Sequence, residues 1–458
     1  MRMRPREAPP VEAIMGMEVY LTASEGIGGR IRATPEDFVV NEVLLDGSVA
    51  RPDAEAPERI PGRGSFLVCV LVKRNMDTFE AVEKLARTLG IPDGLISFAG
   101  LKDARALTAQ FVAVRGLRPE RLKRLDISGI RLVPVRFSTE PLGPEELAFN
   151  RFDIVIRGLE LGEDELVRGL EEFMGQLAEL GGIPNFFGHQ RFGTARPITH
   201  LVGRELVLGN VRRAVELFLS LPGPGESYMA REARAYLSDT WDLRGFLRLA
   251  PPGLRYERVI ARYLLRRPGD YHGAMRRLPL RLRRLFVHAY QAYLFNRILS
   301  RRASEGLPLS EPLPGDWVIM LDHRGLPVWE AVKATSANVG ELGELAREGR
   351  ASIAIPLPGF NQPLSSGEQG RIEEAVLAEE GVEPDCFRVR HMPELSSPGW
   401  LRPALVYPHF MDVPELLDDS LSPGSMAVRL RFELPRASYA TVLLRELMKP
   451  PDPLRAGF

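Results

Sequence analysis

Strand-like segments gather towards the two ends of this chain, and a long helix-rich stretch separates them. FLVCVLVKR (66–74), ISFAG (96–100), TAQFVAV (108–114), IRLVPVRFS (130–138) and NRFDIVIRG (150–158) lie on one side, and ALVYP (404–408) and SMAVRLRFEL (425–434) on the other. These runs are apolar and rich in β-branched residues or alternate with period two, as strands do. Helical spacing dominates 195–302, with breaks at PGPG (222–225) and PPG (251–253). The simplest arrangement is an α+β fold in which both ends build one domain and the middle forms a second, inserted one.

Other elements follow from caps and breakers. DTFEAVEKLARTLG (77–90) reads as a helix capped by Asp77 or Thr78 and ended by Gly90. A second helix covers 163–180 and stops at Gly181-Gly182, and HAYQAYLFNRILSRR (288–302) reads as an amphipathic helix. Residues 316–332 predict a hairpin turning at Arg324-Gly325. A strand over 351–359 and helices over 371–381 and 438–448 complete the pattern.

At 458 residues the chain is long for one ordinary domain. No apolar run approaches the roughly 18 residues of a membrane span. MRMRPREAPP, at the start, has no apolar stretch after its basic residues, so it reads as a short disordered tail and not a secretory signal. Cys69 and Cys386 are too few for a disulfide scaffold and read as reduced core thiols. The seven histidines show no metal-binding spacing, and there is no Walker A loop, dinucleotide glycine fingerprint, GxSxG or CxxC. A soluble cytoplasmic protein without metal or nucleotide cofactor is expected.

Acidic and basic residues balance at 60 each, but they are not mixed evenly. Ten arginines and two acids fall between Arg255 and Arg284, and 115–136 also leans basic through Arg118, Arg121, Lys123, Arg124 and Arg131. Arginine forks onto phosphate and stacks on bases, so these stretches fit a phosphate-binding surface; solvated helix faces are the plainer reading.

Three segments carry candidate chemistry. GLKDARALT (100–108) is a loop between strands that sets Lys102 beside Asp103. A rigid frame aims such a carboxylate, and a neighbouring cation favours its ionised form; Thr108 and Gln110 share a face of the outgoing strand. A surface turn capped by the aspartate is the alternative. GGIPNFFGHQRFG (181–193) interleaves phenylalanines with Asn185, Gln190 and Arg191, a set able to stack on an unpaired base and bond its edge. Asn150 and Phe152 share one strand face. PRASYATVLLREL (435–447) reads as structural, with Leu443, Leu444 and Leu447 inward and Arg445 and Glu446 facing away.

Taken together, these segments resemble the TruD family of tRNA pseudouridine synthases. GLKDARALTAQ is similar to the family's signature loop and PNFFGHQRFG to its second motif, with Phe186 where tyrosine is common. PEDFVVNEV (35–43), NRFDIVIR, HAYQAYLFN and LPRASYATVLLREL match further family segments in family order. The resemblance covers about residues 30–450. It implies a pseudouridine-synthase domain on a mixed, largely antiparallel sheet, formed by 1–184 and 401–458. The helix-rich α+β TRUD domain would be inserted over 185–400.

The implied reaction turns a flipped-out uridine of tRNA, at position 13 in the D-arm, into pseudouridine without a cofactor. Asp103 matches the catalytic aspartate, which could attack C1′, attack C6 or take a proton from C2′. Phe152 matches the residue stacked on the target base, and Asn150 would steady the base or the loop. Arg32 stands at a basic position that would touch phosphate, and Lys102 would keep Asp103 charged. Asn185, Gln190 and Arg191 would orient the junction and RNA backbone. A monomer is expected. Two other readings are a non-catalytic RNA-binding factor or chaperone on the same fold, and a glycosidase, which would leave an abasic product.

Overall fold

The computed structural model describes residues 5–458, apart from the side chains of Lys123, Arg124 and Trp329. Its largest sheet has eight strands. Seven run in the order Glu415–Asp418, Met426–Pro435, Leu147–Leu159, Phe38–Leu44, Leu107–Arg115, Phe66–Arg74, Ile130–Ser138, and Ile96–Phe98 pairs beside Leu107–Arg115. Phe38–Leu44 and Leu107–Arg115 run parallel, and the other pairs are antiparallel. The sheet is therefore mixed, and it draws strands from both ends of the chain.

Between those ends lie the helices from Thr199–Val207 to Leu280–Ser304 and a four-stranded sheet of Trp317–Leu321, Pro327–Lys333, Ala351–Leu357 and Trp400–Pro403. The hairpin turns at Gly325, which has φ +76°. Helix Thr78–Leu89 begins at Asp77, whose side chain accepts from the Glu80 amide, and ends at left-handed Gly90, as the sequence predicts. Helix Glu163–Leu180 likewise ends at left-handed Gly181.

Helix Leu280–Ser304 is the centre of the middle region. It is less amphipathic than its sequence predicts, because Asn296, Ser300 and Arg302 are fully buried along with its apolar residues. All three find polar partners inside the fold. Arg302 forks onto Asp316, Asn296 donates to the Met15 and Phe187 carbonyls, and Ser300 donates to the Gly16 carbonyl. Helix Thr199–Val207 crosses it at Gly203, where a Cβ would lie 1.9 Å from the Phe286 carbonyl oxygen. Among the described residues, no helix is long and apolar enough to cross a membrane.

Two expectations change here. Of the supposed tail, residues 1–4 lie outside the described part, but Arg6–Glu7 pairs with Val19–Tyr20 and Glu12 is fully buried. Arg445 and Glu446 do not face solvent. Both are fully buried; Arg445 lies 2.8 Å from Glu12, and Glu446 accepts from the Leu21 and Thr22 amides. The N-terminal segment thus covers the last helix, Ala440–Met448, and supplies the polar partners that helix needs. Cys69 is buried, Cys386 is half-buried, and both are unpaired.

His200 stacks on Tyr293 at 5.0 Å and meets the edge of Phe192. Burial holds its pKa down at about 4, below the unfolded value of about 6.5. The neutral ring's contribution is fully present above the unfolded value and is lost as pH falls towards 4, because the unfolded chain takes the proton first. Unfolding free energy should fall across that window by about 3 kcal/mol more in the wild type than in His200→Phe; equal slopes in denaturant titrations would remove His200 as the cause.

Candidate active site at the sheet edge

The Asp103 loop leaves Ile96–Phe98 and returns as Leu107–Arg115, two strands paired to each other. Four buried side chains fix it from beneath. Lys73 donates to the Met76 and Asp103 carbonyls at 2.6 and 2.8 Å. Burial pulls its pKa down to about 8, against the opposing pull of Asp103. Thr78 accepts from the Lys102 amide and donates to Gln110, which in turn donates to the Gly100 carbonyl. Glu42 accepts from the Phe111 amide and pairs with Lys102 at 2.6 Å. These contacts hold the loop's backbone without using the Asp103 carboxylate.

That carboxylate is about one-third exposed and, among the described residues, has one ion-pair partner, Arg32, at 2.9 Å. The predicted coupling of Lys102 to Asp103 is therefore replaced by another pairing. Lys102 turns inward to Glu42, which strand alternation places on the same buried face as Phe38 and Val40. Arg32 is not a surface phosphate contact. It is enclosed, donates also to the Gly457 carbonyl at 2.8 Å, and lies 4.0 Å over the Phe38 ring. A left-handed backbone at Arg32, φ +58°, accompanies this placement.

Asp103 opens onto a recess of about 120 Å³ lined by Phe38, Leu101, Asn150, Phe152, Gln190 and Thr441, among others. Phe152 is paired in register with Val40 and Phe432, stacks on Phe432 at 5.2 Å and meets the edge of Phe38. The Asn150 side-chain oxygen is buried without a partner. Gln190 accepts from Thr441 at 3.0 Å, and its amide nitrogen is likewise unpartnered. An amide oxygen acceptor and an amide nitrogen donor beside an aromatic ring match the needs of a nucleobase edge and face.

The recess continues into a cleft of about 730 Å³ between the large sheet and the middle region, within the range of ligand pockets. Arg191 lines it, whereas Asn185 is tied to its wall, donating to the Pro403 carbonyl and accepting from Arg402. Thr108 and Gln110 line neither space; both are buried beneath the loop.

Several lining residues were not singled out from the sequence. Ser438 to Thr441 come from the segment read as purely structural, and they reach the recess because helix Ala440–Met448 starts there. Arg402 gave no signal, lying in an ordinary run, LRPA. Glu42 did give one: a carboxylate in register with a buried strand face requires a buried cation.

Of the arginine-rich stretch, Arg283 and Arg276 pair with Glu394, Arg284 donates to the Glu394 carbonyl and Arg258 to the Leu247 and Ala250 carbonyls. Arg277 lies over Tyr263 and Arg281 over Phe79. Much of that charge is thus engaged within the fold. Arg255, Arg262, Arg266 and Arg267 remain exposed, with no ion pair among the described residues.

Comparison with known proteins agrees with this architecture. A family model described as tRNA pseudouridine synthase D (TruD) matches residues 14–447. A Methanosarcina acetivorans protein named "Probable tRNA pseudouridine synthase D" is 38% identical over 457 residues, 99% of this chain and all of that one. A Methanopyrus kandleri protein of the same name is 42% identical over 388 residues, 84% of this chain and 86% of its own. The crystal structure of a Methanosarcina mazei protein assigned to TruD superposes with a TM-score of 0.79 at 37% identity, covering 97% of this chain and 98% of that one. The chain therefore belongs to the TruD family of tRNA pseudouridine synthases.

Proposed function

We propose that this protein isomerises a uridine of tRNA to pseudouridine, at position 13 in the D-arm, with Asp103 as the catalytic carboxylate and the cytoplasm as its place of action. The observation that carries the reading is the single carboxylate opening onto the base-sized recess, held by Arg32 beside Phe152. In the reaction the C1′–N1 bond breaks, the ring turns, and a C1′–C5 bond forms; C5 loses a proton and N1 gains one. Substrate and product share one formula, so no oxidant, reductant or group donor is consumed.

Each route open to the aspartate, through C1′, C6 or C2′, needs it ionised. Arg32 faces that carboxylate as its ion-pair partner at 2.9 Å. The loop supports hold the carboxylate still, so orientation is settled before the base arrives. Extruding the uridine costs a few kcal/mol, and one aromatic stacking contact returns about 1–3 kcal/mol. Phe152 is the stacking partner in this reading, and Asn150 and Gln190 bond the base edge. In this reading residues 1–184 and 401–458 build the catalytic unit and 185–400 the inserted one, although the last strand of the inserted sheet, Trp400–Pro403, runs past that boundary; the cleft between the two units receives the RNA.

Carbodiimide treatment and primer extension on unmodified tRNA transcripts, after incubation with the protein, test the target. A new stop at position 13 is expected. A stop at another uridine alone would move the target, and stops nowhere in any tRNA would contradict the tRNA assignment.

A further inference from the structure

Among the described residues six arginines are buried: Arg32, Arg234, Arg283, Arg302, Arg402 and Arg445. Five have a carboxylate within ion-pair distance. Arg32 meets Asp103, Arg234 meets Glu226 and Glu257, Arg283 meets Glu394, Arg302 meets Asp316, and Arg445 meets Glu12 and Glu446. Arg402 is the exception. Its donors reach the Asn185 carbonyl at 2.9 Å, the Asn185 amide oxygen at 2.6 Å and the Ala437 carbonyl at 3.0 Å, all neutral. No carboxylate pairs with it among the described residues. Enclosing a cation without a counter-charge is costly, and a fold that pairs its other buried guanidiniums has left this one short of a negative partner.

A second unpaired cation stands beside it. Arg191 has no carboxylate partner among the described residues, and its Nε is buried without an acceptor. Both guanidiniums lie against one ring, Arg402 at 4.0 Å and Arg191 at 5.3 Å from the centre of Phe187. Burial, with the like charge of Arg191, brings the Arg402 pKa down to about 9. Both side chains line the 730 Å³ cleft, which shares Leu101, Lys102, Asp103, Asn150 and Gln190 with the recess. A nucleic-acid strand that places a base against Asp103 must carry its backbone through this cleft.

We propose that Arg402 and Arg191 form a preset anion site across Phe187 that takes one backbone phosphodiester adjoining the flipped nucleotide. Asn185 is then a positioning residue that fixes the Arg402 fork. The inference rests on the reading of the substrate as RNA, and it does not depend on turnover.

The test uses the full-length protein and a two-piece tRNA whose synthetic strand carries uncharged methylphosphonates, one at a time, at the phosphates flanking the target uridine. At one position the wild type should bind about tenfold more weakly, the order of a single charge-assisted contact. Arg191→Gln, with unchanged thermal midpoint, should lose about as much on the native strand and nothing more at that position. Arg402→Lys, which keeps the charge and removes the fork, should respond in the same way. Losses that multiply at every position would overturn the proposal. So would inorganic phosphate raising the wild-type melting point but not that of Arg191→Gln, with no position-specific coupling, because the site would then hold a free anion. Coupling without pseudouridine formation would sink the isomerase reading and leave this site standing.

Discussion

Asp103→Asn should reduce pseudouridine formation by about 10³-fold or more while tRNA affinity stays close to wild type and the protein still folds, at a somewhat lower thermal midpoint. The geometry separates the two effects. The carboxylate opens to the recess, and the loop is held by Lys73, Thr78, Gln110 and Glu42 and not by the carboxylate itself. The amide oxygen of asparagine still accepts the Arg32 hydrogen bond, but the enclosed guanidinium loses its counter-charge, which lowers stability without releasing the loop. What disappears is the negative charge that all three routes require. Nucleoside analysis of modified tRNA, with filter-binding affinities for both proteins, measures the two quantities. Loss of fold in this variant would return Asp103 to a structural role.

Glu42→Leu should destabilise the protein by about 3–5 kcal/mol, because it strands the Lys102 ammonium in the interior and removes the acceptor of the Phe111 amide. Activity should fall with it, since the same pair anchors the residue next to Asp103. The double variant Glu42→Leu with Lys102→Met removes both charges and should recover most of the lost stability, the residual cost being the Phe111 amide. Denaturant unfolding of the two variants decides. A single variant as stable as wild type would mean that the pair contributes nothing. A double variant as unstable as the single one would trace the loss to the Phe111 amide.

Local chemistry was readable wherever cause and effect lie close in sequence. Asp77 and Gly90 mark a helix through their own caps, and Gly181 stops another for the same reason. The change from strand-rich to helix-rich sequence was readable because the two periods differ over long stretches. What the sequence conceals is pairing across distance. Lys102 and Asp103 are neighbours in the chain, yet one turns to Glu42 and the other to Arg32. Adjacency along a loop does not decide which charges meet; the buried face of a distant upstream strand does. Arg445 and Glu446 were misplaced for a related reason. Helical spacing puts them opposite the leucine stripe, but the N-terminal segment folds over that side and supplies Glu12 and the Leu21 and Thr22 amides. Arg402 had no local mark at all, because an uncompensated charge is visible only once its surroundings are known.

The central claim is that this protein breaks and remakes the bond between a uridine base and its ribose, replacing the hydrogen at C5. An unmodified tRNA transcript labelled with tritium at uridine C5, incubated with the wild-type protein, measures that step directly. Tritium should be released to water up to one equivalent per tRNA, with the chain left intact and no abasic site. Tight binding without release from any tRNA would contradict the claim, as would release accompanied by loss of the base.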